Sequence, residues 1–204
     1  MGGVATAPKK KDPKKDDADA RTRLMEATAH IMREEGYAAA TSRRVAARAG
    51  VRSALVYYYF PTMDDLFVAV LQAGSDASLA RMREAITADE PLRALWNINA
   101  ESRWGSLYTE FMALANHRKA IRAELKNYAE RVRDIENAAT TVALRTYGID
   151  LDAFPPVAIS MIIAQMARSL NNESAIGWTE GHRELRELVE RYLTQLAEKR
   201  SIAT

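Results

Sequence analysis

Residues 37–67 read YAAATSRRVAARAGVRSALVYYYFPTMDDLF and decide the fold, because they predict two short helices joined by a tight turn. The turn is centred on Gly50, since glycine tolerates the positive φ that ends a helix abruptly. The second helix is short and contains three consecutive tyrosines, Tyr57, Tyr58 and Tyr59. Neighbouring side chains on a helix are about 100° apart, so the three rings cannot all face inward. This arrangement predicts a helix-turn-helix with at least one outward tyrosine.

Positive charge is concentrated in the same segment. Between Thr41 and Phe60 there is no acidic residue, and the arginines there are Arg43, Arg44, Arg48 and Arg52. Residues 1–60 contain 12 Lys and Arg against 7 Asp and Glu, whereas residues 61–204 contain 17 against 20. The whole chain has a net charge of only +2, so the distribution is more informative than the total. A compact positive surface of this kind attracts the phosphate backbone of nucleic acids.

The composition excludes several classes of site. The chain has no cysteine, which excludes disulfides, thiolate nucleophiles and zinc fingers, and its three histidines are scattered without ligand spacing. We therefore expect no metal and no cofactor. There is no phosphate-binding glycine loop, nucleophile elbow or catalytic carboxylate arrangement, so we predict no catalytic residues and no enzyme. No segment resembles a signal peptide or a membrane span, which favours a soluble cytoplasmic protein without a membrane partner.

Hydrophobic residues recur at helical spacing through most of the chain, and no segment shows the alternation of a strand. We predict an all-α protein of about nine helices, with an N-terminal three-helix head followed by a helical domain. Residues 1–18 are predicted to be a disordered basic tail, which is either a solubilising segment or an arm that reaches DNA. The head occupies residues 19–67, and the helical domain occupies residues 68–204.

Three boundaries within this organisation are specific enough to test. The first helix of the head is predicted to run from about Ala20 to Glu35. Thr62 and Asp65 form a weakened capping box at the start of a long helix, because Asp replaces the preferred Glu. A loop is expected from Asn171 to Trp178, before the last helix.

The second helix of a helix-turn-helix enters the major groove, with its N-terminal residues nearest the base edges. Arg52 is therefore predicted to contact a guanine or a phosphate. Ser53 is predicted to form a hydrogen bond with a base or with the backbone, and Ala54 to contact a thymine methyl group. Tyr57 lies one turn later and is a candidate for a phosphate or base contact, with Tyr58 as a second. These five residues form the predicted reading surface.

The start of the preceding helix is predicted to hold phosphates. Ser42 offers a hydroxyl, Arg43 offers a guanidinium, and the helix N-terminus adds its free N–H groups. Tyr59 and Phe60 are instead expected to anchor the reading helix to the core of the head. For Arg44 and Arg48, the sequence is compatible with two roles: contact with a phosphate, or exposure to solvent without a partner.

Residues 20–67 resemble the DNA-binding domain of the tetracycline-repressor (TetR) family of bacterial regulators. The matching positions are Thr41, Val45-Ala46, Ala49-Gly50-Val51, Val56-Tyr57, Tyr59-Phe60 and Asp64-Asp65-Leu66. The resemblance adds Thr41 to the candidate DNA contacts. Leu55 stands where the family often has Thr, and Met63 stands where it often has a phosphate-binding Lys. The DNA preference of a relative therefore does not transfer to this chain.

For the remainder of the chain, the resemblance implies a regulatory domain of roughly residues 75–204. It implies a homodimer formed through the last two helices, which binds a palindromic DNA operator and is released by a small-molecule effector bound among the middle helices. The apolar stripes of the last two helices are compatible with a twofold dimer. An architectural DNA-binding dimer without an effector is the alternative.

The candidate effector-binding residues are large, mostly apolar side chains of the middle helices. They are Trp96, Trp104, Tyr108, Phe111, Met112, Asn116, Tyr128, Met161 and Met166. For each of them, the sequence allows two roles: lining a ligand pocket, or ordinary packing in the core. An apolar or amphipathic effector is favoured because these helices contain few charges that look buried, with Arg103, Glu110 and Arg168 as possible exceptions.

Overall fold

The computed structural model describes the backbone of residues 13–101 and 105–202 and the side chains of residues 18–101 and 105–198. Within these ranges there are nine α-helices, one 3-10 helix and no strand, which confirms the all-α prediction. The α-helices are α1 Pro13–Glu35, α2 Ser42–Ala49, α3 Ser53–Tyr59, α4 Met63–Ile86, α5 Pro91–Ala100, α6 Gly105–Ala115, α7 Lys119–Thr146, α8 Pro156–Ala175 and α9 His182–Ile202. The 3-10 helix, Tyr37–Ala39, lies between α1 and α2.

Helix α1 begins earlier than the sequence pattern predicted. It starts at Pro13 rather than Ala20, so residues 13–18 are helical and the tail prediction is wrong for them. Proline suits the first turn of a helix because its missing N–H would have no helical partner there. The Thr22 hydroxyl also donates to the Ala18 carbonyl oxygen, at 3.0 Å. Residues 1–12 of the predicted tail lie outside the described residues.

The chain divides into two compact units, the first ending at Val70 and the second beginning at Leu71. In the first unit, α1 packs against α2 and α2 packs against α3. Its buried apolar residues include Leu24, Ile31, Val45 and Phe60. These contacts build the three-helix head predicted from the sequence.

The second unit is built around α7, which packs against α5, α6 and α8, while α5 also packs against α8. One apolar cluster joins α5, α7, α8 and α9, with Trp96, Leu170 and Leu193 among its buried members. A second cluster joins α4 to α7 and includes Leu79 and Val132. Both apolar clusters include residues of α7, which is therefore the central helix of this unit.

Helix α8 continues beyond the predicted start of the following loop. It ends at Ala175, so the expected loop from Asn171 is wrong for its first five residues, Asn171–Ala175. The Asn171 side-chain amide donates to the Asn99 carbonyl oxygen at 2.8 Å, which holds this part of α8 against α5. The chain leaves the helix at Gly177, where φ is 79°.

No single helix in the described part of the chain is long and apolar enough to cross a membrane. The pair α3 and α4 passes the same test jointly, by length and composition alone, with a bend of 69° between the two helices.

Candidate functional site

The turn between α2 and α3 has the geometry predicted for Gly50. Thr41 caps the start of α2, where its hydroxyl oxygen accepts from the Arg44 N–H at 3.4 Å. Gly50 ends the helix in the left-handed region, with φ 66° and ψ 35°. The N–H of Val51 then donates to the Ala46 carbonyl at 3.0 Å. This closure starts α3 only three residues after the glycine.

Helix α3 has an exposed face and a buried face. Tyr57 and Tyr58 expose 53% and 72% of their surface, whereas Val56 and Phe60 are buried. The other predicted contacts are exposed apart from the half-buried Ser42; they are Thr41, Arg43, Arg52, Ser53 and Ala54. The buried face attaches the helix to the head, and the exposed face is free to meet a partner.

Two side-chain contacts fix the position of α3 within the head. The Tyr57 hydroxyl donates to Oγ of Ser42 at 3.2 Å and so joins α3 to the N-terminal turn of α2. At the end of α3, the Arg21 guanidinium of α1 lies over the Phe60 ring, 5.1 Å from its centroid. Tyr59 is half-buried and meets the Tyr58 ring edge-on, with 4.9 Å between centroids.

One of the four arginines between Thr41 and Phe60 is neutralised by an ion pair that the sequence pattern did not reveal. Arg44 donates to the Glu35 carboxylate, with a separation of 2.5 Å. The hydrogen bond from Arg44 lowers the pKa of Glu35. These partners are nine positions apart on different helices, so helical spacing gave no signal for the contact. Within the described residues no ion pair is found for Arg43, Arg48 or Arg52, which leaves their charges available.

The capping box at the start of α4 is confirmed. The Thr62 N–H donates to Oδ2 of Asp65 at 2.9 Å, and the Asp65 N–H donates to the Thr62 hydroxyl oxygen at 3.2 Å. The aspartate therefore performs the role usually given to glutamate, and α4 begins at Met63.

The second unit contains a cavity of about 380 Å³ lined by α4, α5, α6, α7 and α8. Three residues predicted from the sequence, Tyr108, Met112 and Tyr128, line it together with Met82 and Val132. Ligand pockets for small molecules commonly have volumes of about 300 to 1,000 Å³, and this cavity lies within that range.

The remaining candidates for the effector site lie elsewhere or outside the described residues. Trp96 is buried in the cluster of α5, α7, α8 and α9, and Met166 packs against that cluster. Phe111 is fully buried, whereas Asn116 and Met161 are exposed and do not line the cavity. Trp104 and the possible charged exception Arg103 lie outside the described residues. Among the described aromatic and Met candidates, as many are packing residues as line the cavity: Trp96, Phe111 and Met166 pack, whereas Tyr108, Met112 and Tyr128 line it.

The buried Tyr128 and the half-buried Tyr108 form the aromatic part of the cavity wall. Tyr108 and Tyr128 have ring centroids 6.0 Å apart and ring planes inclined by 57°. The Tyr128 hydroxyl donates to Oγ of Ser78 at 3.0 Å, and burial raises the pKa of Tyr128. Burial therefore favours the neutral form of the Tyr128 hydroxyl. The hydrogen bond to Ser78, a residue of α4, fixes the position of the ring.

A second part of the cavity wall is charged. Arg133 of α7 and Arg168 of α8 line the cavity. Glu136 lies on α7 three residues after Arg133, is only 1% exposed and has a carboxylate oxygen 3.4 Å from an Arg133 nitrogen. The Asn99 amide nitrogen lies 3.5 Å from the other oxygen. Burial raises the pKa of Glu136, against the effect of the two arginines.

Sequence reasoning missed Arg133, Glu136 and Asn99, although one signal was present. Glu136 continues the apolar stripe of α7 between Val132 and Ala139, so its spacing placed it on the buried face. A carboxylate in such a stripe requires a charged or hydrogen-bonding partner. Arg133, three residues earlier, is that partner.

A larger depression, of about 600 Å³, lies on the surface beside α5 and α9, but the arginine that lines it already has ion-pair partners. Its most central cation, Arg93, already pairs with Glu90 and Glu190. Burial opposes the charge of Arg93, but its hydrogen bonds to both carboxylates outweigh this effect and raise its pKa. We therefore place the candidate small-molecule site in the α4–α8 cavity.

Helices α8 and α9 both expose apolar side chains. On α8 these are Val157, Met161 and Ile162, and on α9 they are Leu188 and Tyr192. Ile162 and Tyr192 expose 53% and 61% of their surface. Exposed apolar residues that recur along two helices are typical of a protein interface.

No group of three or more His, Asp or Glu suitable for a metal ion is found in the described ranges. The described residues thus include an exposed helix α3 that follows a left-handed turn, with Arg52 just before its first residue, and a cavity in the second unit. The first feature is the arrangement of a helix-turn-helix, a motif found in DNA-binding proteins, and the second unit is all-α.

Comparison with known proteins agrees with this class. Residues 24–70 match the sequence profile of the bacterial regulatory proteins of the tetR family. The match covers α2, α3 and the start of α4, so this part of the chain is similar to the tetR regulators. A search of curated proteins found no match.

Solved structures share the fold of nearly the whole chain. A TetR transcription regulator from Haloarcula marismortui has a TM-score of 0.69 and 23% identity, covering 87% of this chain and 98% of its own. The reduced form of NemR from E. coli has a TM-score of 0.71 and 15% identity, covering 84% and 96%. A protein from Saccharomonospora viridis, described as a transcriptional regulator in complex with choline, has a TM-score of 0.74 and 16% identity, covering 85% and 96%. At these identities, the similarity concerns the fold.

Proposed function

We propose that the chain is a ligand-responsive repressor that binds a palindromic operator as a homodimer and is released by a small apolar or amphipathic effector. The observation that carries the DNA half of this proposal is the exposed face of α3, which follows the Gly50 turn. Among the described residues no ion pair is found for Arg43, Arg48 or Arg52, the other arginines of this motif besides Arg44. In this proposal the protein acts on double-stranded DNA in the cytoplasm and catalyses no reaction.

In the proposed complex, α3 lies in the major groove and α2 crosses the backbone. Arg52, Ser53 and Ala54 meet base edges, because they form the N-terminal end of α3. Tyr57 and Tyr58 contact phosphates or bases on the next turn.

The N-terminal end of α2 binds the phosphate backbone. Ser42 and Arg43 bind a phosphate, whereas Thr41 contributes mainly by capping the helix that presents them. The Tyr57–Ser42 hydrogen bond supports this division because it keeps α3 and the phosphate-binding end of α2 in register.

The proposed dimer uses α8 and α9. Their exposed apolar side chains, including Ile162 and Tyr192, provide the surface that a second copy would cover. A twofold dimer presents two identical heads, and half-sites on DNA are then spaced by about 34 to 36 Å or a multiple of one turn. The operator is accordingly an inverted repeat.

The proposed effector site is the cavity lined by Tyr108, Met112 and Tyr128. A cavity of about 380 Å³ favours an effector-responsive regulator over an architectural dimer, which would need only a packed core. The choline complex of the Saccharomonospora viridis protein, which shares this fold, supports the idea that such a fold accommodates a small molecule. An effector that prefers the non-binding arrangement of the two heads shifts the dimer off DNA.

A gel-shift assay tests the DNA-binding proposal. The full chain is mixed with labelled duplexes from the region flanking its own gene, at moderate salt and with excess unrelated competitor DNA. We expect a competitor-resistant complex. Binding that the unrelated DNA removes completely would contradict the proposal.

A further inference from the structure

We propose, on the basis of the effector site proposed above, that the cavity selects an amphipathic monoanion whose anionic group pairs with Arg168 and Arg133 and whose apolar body lies against Tyr108 and Met112. This inference adds a charge requirement to the apolar or amphipathic effector, and it rests on the balance of charges around the cavity.

The charged wall has one more cation than anion. Arg133 and Arg168 both line the cavity, and Glu136 is the carboxylate that lies near them. Arg133 satisfies one oxygen of Glu136 at 3.4 Å. Among the described residues no ion pair is found for the half-buried Arg168, and an unmatched charge is costly where solvent is partly excluded. An anionic group on a ligand would supply the match.

Arg168 also has an unsatisfied hydrogen-bond donor. Its Nε–H is shielded from solvent and has no hydrogen-bond partner among the described residues. A guanidinium presents Nε and Nη donors in a planar fork that fits the two oxygens of a carboxylate. An oxyanion would accept this hydrogen bond and also balance the positive charge, whereas a neutral acceptor would do only the first.

A cationic ligand fits this wall poorly. Among the described residues, Glu136 is the carboxylate near these arginines; it is 1% exposed, does not line the cavity, and has Arg133 and Asn99 beside its oxygens. A cation in the cavity would therefore lie beside two guanidinium groups. Like charges repel one another strongly where water is excluded.

The rest of the lining selects the body of the ligand. Tyr108, Met112, Met82 and Val132 provide an apolar and partly aromatic wall. Met side chains adapt to different shapes, and the fixed Tyr128 ring offers a flat surface. An aromatic or short aliphatic chain carrying one terminal anion matches both parts of the cavity.

Three probes with the same apolar body and different head groups test the inference: phenylbutyrate, phenylbutyramide and phenylbutylamine. Their affinities for the full chain are measured by calorimetry at constant ionic strength and neutral pH. We expect the carboxylate to bind about tenfold or more tightly than the amide, because hydrogen bonds to a charged group are the stronger class. The amine is expected to bind most weakly.

Substitutions then assign the selectivity to the cavity. Arg168→Gln should reduce the carboxylate preference to near unity, Arg133→Gln should reduce it in part, and Arg168→Lys should preserve much of it by retaining the charge. Arg131→Gln is the matched control, since Arg131 lies on the same helix but contacts Asp76 and does not line the cavity. The preference is a ratio of affinities within one variant, so a moderate loss of stability does not imitate the expected result.

Equal or tighter binding of the amide or amine, or no binding of any probe at millimolar concentration, would overturn the inference. A carboxylate preference that survives Arg168→Gln would also overturn it. The gel-shift assay is independent of these measurements, so a failure of DNA binding would be distinguished from a failure of ligand selection.

Discussion

The Tyr57 hydroxyl lies 3.2 Å from Oγ of Ser42, so the middle of the reading helix is tied to the N-terminal turn of the helix that precedes it. Both residues were predicted as separate DNA contacts. Their hydrogen bond means that either substitution also changes how the two helices are held together. The roles of Tyr57 and Ser42 in DNA binding are therefore coupled.

A double-mutant cycle of Tyr57→Phe and Ser42→Ala tests this coupling. Each single substitution should destabilise the head by at most about 1 kcal/mol, because the hydrogen bond is exposed. Each should also weaken operator binding by several-fold. The double variant should lose less affinity than the sum of the single losses, with a coupling energy of about 0.5 kcal/mol or more. Strict additivity in titrations followed by fluorescence anisotropy would show that the hydrogen bond has no part in binding.

Arg43 and Arg44 are adjacent but should respond differently to substitution. Arg43 has no ion pair among the described residues, whereas Arg44 is engaged by Glu35. Arg43→Gln should reduce the slope of log affinity against log salt by about one unit, because one phosphate contact is lost. Arg44→Gln should leave that slope nearly unchanged. Equal effects of the two substitutions would contradict the assignment of Arg43 to a phosphate.

Gly50→Ala should destabilise the protein through the backbone rather than through a clash. Gly50 has φ 66°, and a Cβ added there would meet nothing within 4 Å. The left-handed conformation costs an L-residue about 1 to 2 kcal/mol. Gly105→Ala is the matched control because a Cβ there would make only ordinary contacts with Asn171 at 3.9 Å. Urea unfolding should show a loss for Gly50→Ala and little change, or a small gain, for the control.

The buried carboxyl of Glu136 gives a prediction for pH. Burial raises its pKa above the ordinary value of 4.5, so the folded state binds more protons than the unfolded state between these two pKa values. Stability contributed by this group is therefore highest at low pH and is lost as the pH rises through the folded-state pKa. Glu136→Gln, which imitates the protonated form, should stabilise the protein at neutral pH, and its advantage should shrink as the pH falls towards 4.5. An advantage that stays constant in melting curves across this range would contradict the prediction.

Charge placed on α8 or α9 should dissociate the proposed dimer. Ile162→Glu and Tyr192→Glu each put a carboxylate on an exposed apolar position of these helices. Val142→Glu is the control, because Val142 is a comparably exposed apolar residue on α7. Sedimentation velocity should show monomers for the first two variants and dimers for the control. Dimers in all three would place the interface elsewhere.

The head was predictable because its signals are local. Gly50 marks a turn by its own conformational freedom, and Thr62 and Asp65 form their capping contacts within four residues. The other helices were predictable because the spacing of their hydrophobic residues is also a local signal. The predicted helix boundaries were wrong where a contact with a distant part of the chain decides them. Asn171 is an example, because its hydrogen bond to α5 holds it within α8.

The cavity was less predictable because it depends on contacts between helices far apart in sequence. Tyr108, Met112 and Tyr128 line it, but Trp96 and Phe111 have similar chemistry and are core residues. Helical spacing separates buried faces from exposed ones and does not show where packing is incomplete. The charged wall illustrates this limit, since Arg133 and Arg168 come together only through the packing of α7 against α8.

The most direct test of the account is selection of bound sequences from a pool of randomised duplexes by the full chain at moderate salt. If α3 reads the major groove in a twofold dimer, the enriched DNA should contain an inverted repeat whose half-sites are one helical turn or a multiple apart. Arg52→Ala should relax the preference at one symmetric pair of positions. A pool without an enriched motif, or a single unpaired half-site, would contradict the dimeric helix-turn-helix regulator proposed for this chain.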